Sequence, residues 1–219
     1  LSEYSMYDVS SIQTGISSET THQIAYQQVG NLVVGANIQE MLLSCFVYSL
    51  AQWSRTSQDY ISFTLEGHGR EEIIPDIDIT RTVGWFTSMF PVCFDIKEWE
   101  SQSIFDALKS VKEQYRRIPK KGMSFGILNT YNHFAKEKFQ RYHKGLLSSE
   151  QISFNYLGQQ DISFKDSCLE YANINIGSSE SLNEIPFRIL NVNCSIRGGQ
   201  LIMNWEYSIK PNIKTEQIV

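Results

Sequence analysis

The chain has 219 residues, 42% of them hydrophobic and 12% aromatic, which suits one sizeable core or at most two small ones and excludes a disordered segment. Its 24 acidic residues outnumber 19 basic ones for a net charge of −5, and no basic run occurs, which argues against nucleic acid as a partner. The apolar runs fall far short of a membrane span and the first residues show no charged-then-apolar signal, so the expectation is a cytoplasmic protein with no membrane contact.

Taken in chain order, residues 1–18 are polar, rich in serine and without clear period, and read as a connection. Ser17 or Ser18 caps a helix that starts at Glu19 and runs through His22, a surface residue, to about Val29. Asn37 and Glu40 stand at capping-box spacing before a second helix. There Ile38, Met41, Leu42, Cys45, Phe46 and Trp53 recur every three or four residues, the stripe of a core helix packed on a sheet.

Residues 60–65 alternate apolar and polar, the period of a half-buried strand. Ile61, Phe63 and Leu65 point one way; Ser62, Thr64 and Glu66 point the other. Glu66 ends the polar face where the chain breaks into Gly67 and Gly69, whose tight or positive-φ turns can hold His68 and Arg70 close to the same carboxylate. Two readings stand at this point. A carboxylate, an imidazole and a guanidinium at a strand end are acid/base equipment, and they are equally a hairpin tip with a solvated Glu/Arg pair.

Residues 75–80 read as an extended crossing, and residues 85–94 as a strand covered on both faces, with Pro75 and Pro91 at edges or strand ends. Ser101 or Ser103 opens a helix striped by Ile104, Leu108, Val111, Tyr115 and Ile118. Arg116 and Arg117 complement its dipole and Pro119 stops it. Gly122 starts a short helix to Phe134, and His133 and His143 flank a solvated, lysine-rich stretch. Residues 151–157 form a strand on which Ile152, Phe154 and Tyr156 share a face. A loop over 161–184, most flexible at Gly177–Ser179, leads to strands over 187–196 and 201–209 joined by the glycine turn 197–200. The four cysteines, Cys45, Cys93, Cys168 and Cys194, include no CxxC pair, which argues against metal or disulfide scaffolding and predicts buried free thiols in a reducing compartment. The sum is an α/β layer structure with a mixed sheet.

Four blocks now point to a family. Glu66-Gly67-His68-Gly69-Arg70-Glu71 resembles the EGHGRE signature of epimerization domains of nonribosomal peptide synthetases, relatives of the condensation domains. Residues 81–91 resemble the family's RTVGWFT…P block, and Phe154-Asn155-Tyr156-Leu157-Gly158 matches FNYLG. Residues 119–126 are similar to PxxGxGYG, with Ser124 in place of a glycine and Phe125 in place of a tyrosine. The family's HHxxxDG motif does not occur, and no two of the four histidines are adjacent.

The resemblance implies the C-terminal lobe of a chloramphenicol-acetyltransferase-like (CoA-dependent acyltransferase) fold, a two-layer mixed sheet with packed helices. Residues 1–219 would be a single lobe, its histidine-bearing N-terminal lobe missing. The implied reaction, in bacterial peptide-antibiotic biosynthesis, inverts the α-carbon of an aminoacyl or peptidyl thioester. No bound cofactor is expected; the substrate arrives on the 4'-phosphopantetheine arm of a peptidyl carrier protein. Glu66 would be an acid/base group and Tyr156 a second catalytic candidate. His68, Arg70 and Asn155 would support them, Arg70 by orienting the loop or binding a neighbouring acid and not by pairing fully with Glu66. Trp85, Phe86 and Ser88 would line the substrate channel. Glu66, Arg70 and Tyr156 are expected around one cleft, and the isolated chain is expected to fold without catalysing. The alternatives are a peptide-bond-forming condensation lobe, whose VGxFVNT pattern has Asn where Ser88 stands, and a non-catalytic carrier-docking or structural module.

Overall fold

The computed structural model describes residues 9–26, 35–54, 59–71, 76–97, 99, 103–134, 151–160, 168, 174, 177, 181 and 188–208. In chain order the elements are β1 (Val9–Gly15), α1 (Ser18–Tyr26), α2 (Ile38–Ser54), β2 (Tyr60–Gly67), β3 (Ser88–Asp95), α3 (Ile104–Arg116), a single 3₁₀ turn (Pro119–Gly122), α4 (Met123–Phe134), β4 (Ile152–Gln159), β5 (Leu190–Arg197) and β6 (Gln200–Ser208). The six strands form one mixed sheet in the order β1-β6-β5-β4-β2-β3, parallel at β2–β4 and β4–β5 and antiparallel elsewhere. This is the two-layer α/β architecture expected from the sequence.

Alternation puts the core on one face of that sheet. Phe63 and Leu65 of β2, Phe154 of β4, Val192 and Cys194 of β5 and Trp205 of β6 turn toward Leu43, Phe46, Val47 and Leu50 of α2. Phe46 stacks on Phe154 at 4.8 Å between ring centroids and meets Phe63 edge-on at 5.2 Å, the two geometries favoured by the ring quadrupole. The capping box before α2 forms in both directions. The Glu40 N–H donates to Asn37 Oδ1 at 2.9 Å, and the Asn37 N–H donates to Glu40 Oε2 at 2.9 Å. Glu40 also receives Arg116 from α3, Nε to Oε1 at 2.6 Å and Nη2 to Oε2 at 2.7 Å, so one carboxylate ties α3 to the start of α2. Arg116 thus does more than complement a dipole.

Several expectations need correction. Within the stretch read as a connection, residues 9–15 are an edge strand antiparallel to β6, with the Trp205 Nε1–H donating to Thr14 Oγ1 at 2.8 Å. An edge strand half in solvent needs no strong apolar alternation, so its period is weak. Strand β3 is also an edge and is not covered on both faces. Phe90, Val92 and Phe94 are buried while Met89, Cys93 and Asp95 are exposed, and Pro91 lies on an edge strand, as expected for a residue without an N–H. The stretch before it is a turn and not an extended crossing: the Thr82 N–H donates to Ile79 O at 3.1 Å, and Asp78 Oδ1 accepts from the Thr80 amide and hydroxyl. Of the thiols only Cys194 is buried; Cys45, Cys93 and Cys168 are exposed and none is in a disulfide.

The caps resolve as Ser17 for α1 and Ser103 for α3. Ile104 is 46% exposed and lies off the buried stripe. The turn between β5 and β6 holds Gly198 at φ 59° and Gly199 at φ 72°, the double positive φ of a tight hairpin. Pro75, Ser101, the His133 side chain, His143 and most of the 161–187 loop lie outside the described residues. Among the described residues no helix is long and apolar enough to cross a membrane.

Candidate active site

Glu66 reaches its position through strand register. The parallel pairing Thr64↔Ser153 and Leu65↔Phe154 carries on to set Glu66 beside Asn155, both on the face turned away from the helices. Asn155 Nδ2–H donates to Glu66 Oε2 at 2.9 Å. Oε1 accepts no hydrogen bond among the described residues. Glu66 is half-buried, and that burial pushes its carboxyl above the usual range, partly offset by the Arg188 guanidinium just ahead of β5. A carboxyl with one oxygen pinned, the other open and its proton affinity raised is equipped to take and return a proton.

The rest of the signature builds a scaffold around that carboxylate. Gly69 stands at φ 66°, and a Cβ there would lie 1.5 Å from Phe86 O, so only glycine lets the two stretches meet. Arg70 runs beneath the loop before β3: Nη1 donates to Ile79 O at 2.7 Å and Thr82 O at 2.9 Å, Nη2 to Gly84 O at 3.3 Å. Its guanidinium lies 4.3 Å from the Phe86 ring centroid, a cation–π contact. Arg70 therefore organises the loop and does not pair with Glu66, as expected.

His68 Nδ1 accepts the Arg70 N–H at 3.0 Å, which leaves its proton on Nε2, 3.3 Å from Glu71 Oε1. Glu71 Oε2 in turn lies 3.1 Å from Lys121 Nζ, which links the signature to the 3₁₀ turn. In that turn Lys120 and Lys121 hold φ 47° and 46°, and a Cβ on Gly122 would fall 2.2 Å from the Phe90 ring. His68 is a member of this scaffold, and neither it nor Arg70 is held at the Glu66 carboxylate.

The structure thus brings Glu66 and Asn155 together, with Arg70 and His68 one layer out. It separates Tyr156, which keeps the side of Phe154 and packs against the helix-side core. The expectation of Glu66, Arg70 and Tyr156 around one cleft is corrected accordingly: adjacent residues of one strand point to opposite faces. Trp85 is 92% exposed, Phe86 is half-buried under Arg70, and Ser88 opens β3 opposite Gly67. Sequence reading missed Arg188 and the Glu71–Lys121 pair. The charge types were visible, but nothing local couples residues so distant in the chain.

With this geometry in place, comparison with known proteins decides the family. The condensation domain family matches residues 6–211. The chain belongs to the condensation-domain family. It is 34% identical to surfactin synthase subunit 2 of Bacillus subtilis (strain 168) over 203 residues, 93% of this chain and 5% of that protein. It is 32% identical to tyrocidine synthase 1 of Brevibacillus parabrevis over 211 residues, 91% of this chain and 18% of that one. Among solved structures, the epimerization domain from the third module of tyrocidine synthetase B superposes with a TM-score of 0.80 at 26% identity. That likeness covers all of this chain and 46% of the other. The condensation domain of Monacolin K polyketide synthase shares the fold, with a TM-score of 0.60 at 14% identity. The chain therefore spans less than half of this solved epimerization domain and a small part of the synthetases it matches.

Proposed function

We propose that this chain is the C-terminal lobe of an epimerization domain in a nonribosomal peptide synthetase. The complete domain inverts the α-carbon of an aminoacyl or peptidyl thioester presented on a carrier protein's 4'-phosphopantetheine arm, and this lobe supplies one of its two proton-transfer groups. The observation that carries the reading is the Glu66 carboxylate, half-buried, raised in proton affinity and held at one oxygen by Asn155. The thioester withdraws electrons from its α-carbon, so a base removes the α-hydrogen and leaves an enolate while the C–S bond stays intact. A proton delivered to the opposite face completes inversion. Glu66 serves as base in one direction and as acid in the other, and the burial that raises its proton affinity suits it to both. The opposing group is a histidine on the N-terminal lobe. Arg70 and His68 hold the loop that ends at β3, and Phe86 and Ser88 shape the channel wall with Trp85.

The fold family also contains condensation domains, so a peptide-bond-forming lobe is the competing reading, and a carrier-docking module without catalysis is a third. Two features favour epimerization: the intact EGHGRE block, and a TM-score of 0.80 against 0.60 for the condensation domain named above. The test joins this lobe to its native upstream sequence and follows exchange of the α-hydrogen with solvent deuterium on a loaded carrier. Exchange from both L- and D-loaded carrier is expected. Peptide-bond formation without exchange would transfer the chain to the condensation reading, and carrier binding without either reaction to the docking reading. The 219 residues alone should fold and leave a carrier-bound amino acid unracemised.

A further inference from the structure

The sheet face that carries Glu66 has a pattern the reaction chemistry does not use. Strand register continues the line of Glu66 and Asn155 straight across the sheet: Asn155 pairs with Asn193, Asn193 with Asn204, and Asn204 with Gln13. Four neighbouring strands thus present four carboxamides in one row. Asparagine is depleted in strands, because it neither packs on a pleated surface nor favours extended backbone. Three asparagines at the middle of adjacent strands therefore go against local propensity, and such conflicts concentrate where function overrides folding. A face meant only for water would more commonly carry threonine and long charged side chains.

The row is incompletely satisfied from within. Gln13 Nε2–H donates to Asn204 Oδ1 at 2.9 Å and Asn155 is bound to Glu66, yet the Asn193 side chain makes no hydrogen bond among the described residues. Two residues before Glu66 on β2, on the same face, the hydroxyl of Thr64 (1% exposed) is buried and has no partner among the described residues. Asn155, Asn193 and Asn204 are half-buried, and Gln13 on the edge strand is exposed. The occupant that fits is an uncharged chain of amides, since each carboxamide offers the donors and the acceptor that a peptide group needs. Three interstrand steps of about 4.8 Å make the row roughly 14 Å long, the span of about four extended residues. A lone aminoacyl group ends at its own amine and would leave Asn193, Asn204 and Gln13 unused.

We propose that the carboxamide row from Asn155 to Gln13 binds the amide backbone of a peptidyl chain whose C-terminal residue lies at Glu66, so that the substrate of this lobe is peptidyl. This rests on the epimerization reading above. The test uses the complete domain, with carrier protein loaded either with one amino acid or with a tripeptide ending in the same residue. Asn193→Leu should lower the ratio of tripeptidyl to aminoacyl kcat/KM for α-hydrogen exchange about tenfold, the effect of losing one or two amide hydrogen bonds. An unchanged ratio overturns the proposal. That includes equal loss on both substrates, which would assign the row to the carrier arm that both share. Binding of the two carriers to the unsubstituted domain is measured alongside: tighter binding of the tripeptidyl carrier supports the subsite, and equal affinity overturns it even if Asn193→Leu fails to fold. Absence of exchange from either substrate in the unsubstituted domain would defeat the epimerization reading, while the affinity comparison would still decide the row.

Discussion

Glu40 and Glu66 are two glutamates of one fold, both withdrawn from water, and their carboxyls move in opposite directions. Burial would raise Glu40, which is 4% exposed, but hydrogen bonds from Arg116 and the Asn37 amide, with the nearby charges of Arg116 and Lys112, outweigh it and hold the group below its usual range. Burial likewise raises Glu66, and there it prevails, because Asn155 is neutral and, among the described residues, only Arg188 opposes it through space. The lesson is that partners, and not depth, decide the direction. Glu40 is committed to holding α2 against α3; Glu66 is left with proton affinity to use.

The largest expected effect breaks the comparison on the side of function. Glu66→Gln in the complete domain keeps the Asn155 hydrogen bond but cannot take a proton, and exchange should fall by roughly 10²–10⁴-fold, the range for loss of a positioned general base. L- and D-loaded carriers should be affected unequally if two groups share the work. Near-unsubstituted rates from both would reduce Glu66 to a turn residue.

Next in size is the structural side. Glu40→Gln removes the charge that Arg116 clasps and should cost about 2 kcal/mol in denaturant unfolding, between the small worth of an exposed ion pair and the larger cost of breaking a buried one, because Arg116 is 45% exposed. Exchange per folded molecule should stay unchanged in the complete domain. A variant of full stability would show that the clasp contributes nothing net.

The pH dependence sharpens the contrast. Glu40 has a lowered folded pKa, so its stabilisation is present above the unfolded glutamate pKa and is lost as pH falls through the lowered folded value. Glu66 has a raised one, so the folded state holds its proton more tightly and loses stability as pH rises from the unfolded to the folded value. Melting temperatures across pH should show Glu40→Gln removing part of the acid-side decline, and Glu66→Gln raising Tm modestly at neutral pH with no gain in acid. The same sign for both variants would contradict the assignment of causes.

The smallest effect concerns the sheet's two faces. Burial in the core pushes the Cys194 thiol up to about 12, while Cys93 projects from the opposite face of edge strand β3. A thiol reagent at neutral pH should label Cys93 in the native protein and Cys194 only after denaturation. Native labelling of Cys194 would mean that the core opens at β5.

What the sequence determined by itself is what short-range physics controls. The Asn37–Glu40 capping box, the alternation of residues 60–65 and the positive φ of Gly69 are each set by hydrogen bonds or sterics within a few residues, and each stands in the structure as read, whereas Gly67 ends the strand and makes no turn. The ordered motifs pointed to Glu66 and Asn155 as candidates and to Arg70 as a residue that orients the loop, which it does. Tertiary structure decided the rest. Whether residues 9–15 form a strand depends on β6, nearly two hundred residues away in the chain. Which neighbour Glu66 meets depends on parallel register with β4, a pairing made across a long crossover and encoded in no local period. That register turned Asn155 toward Glu66 and Tyr156 toward the core, because consecutive strand residues face opposite ways and a shift of one position would exchange them.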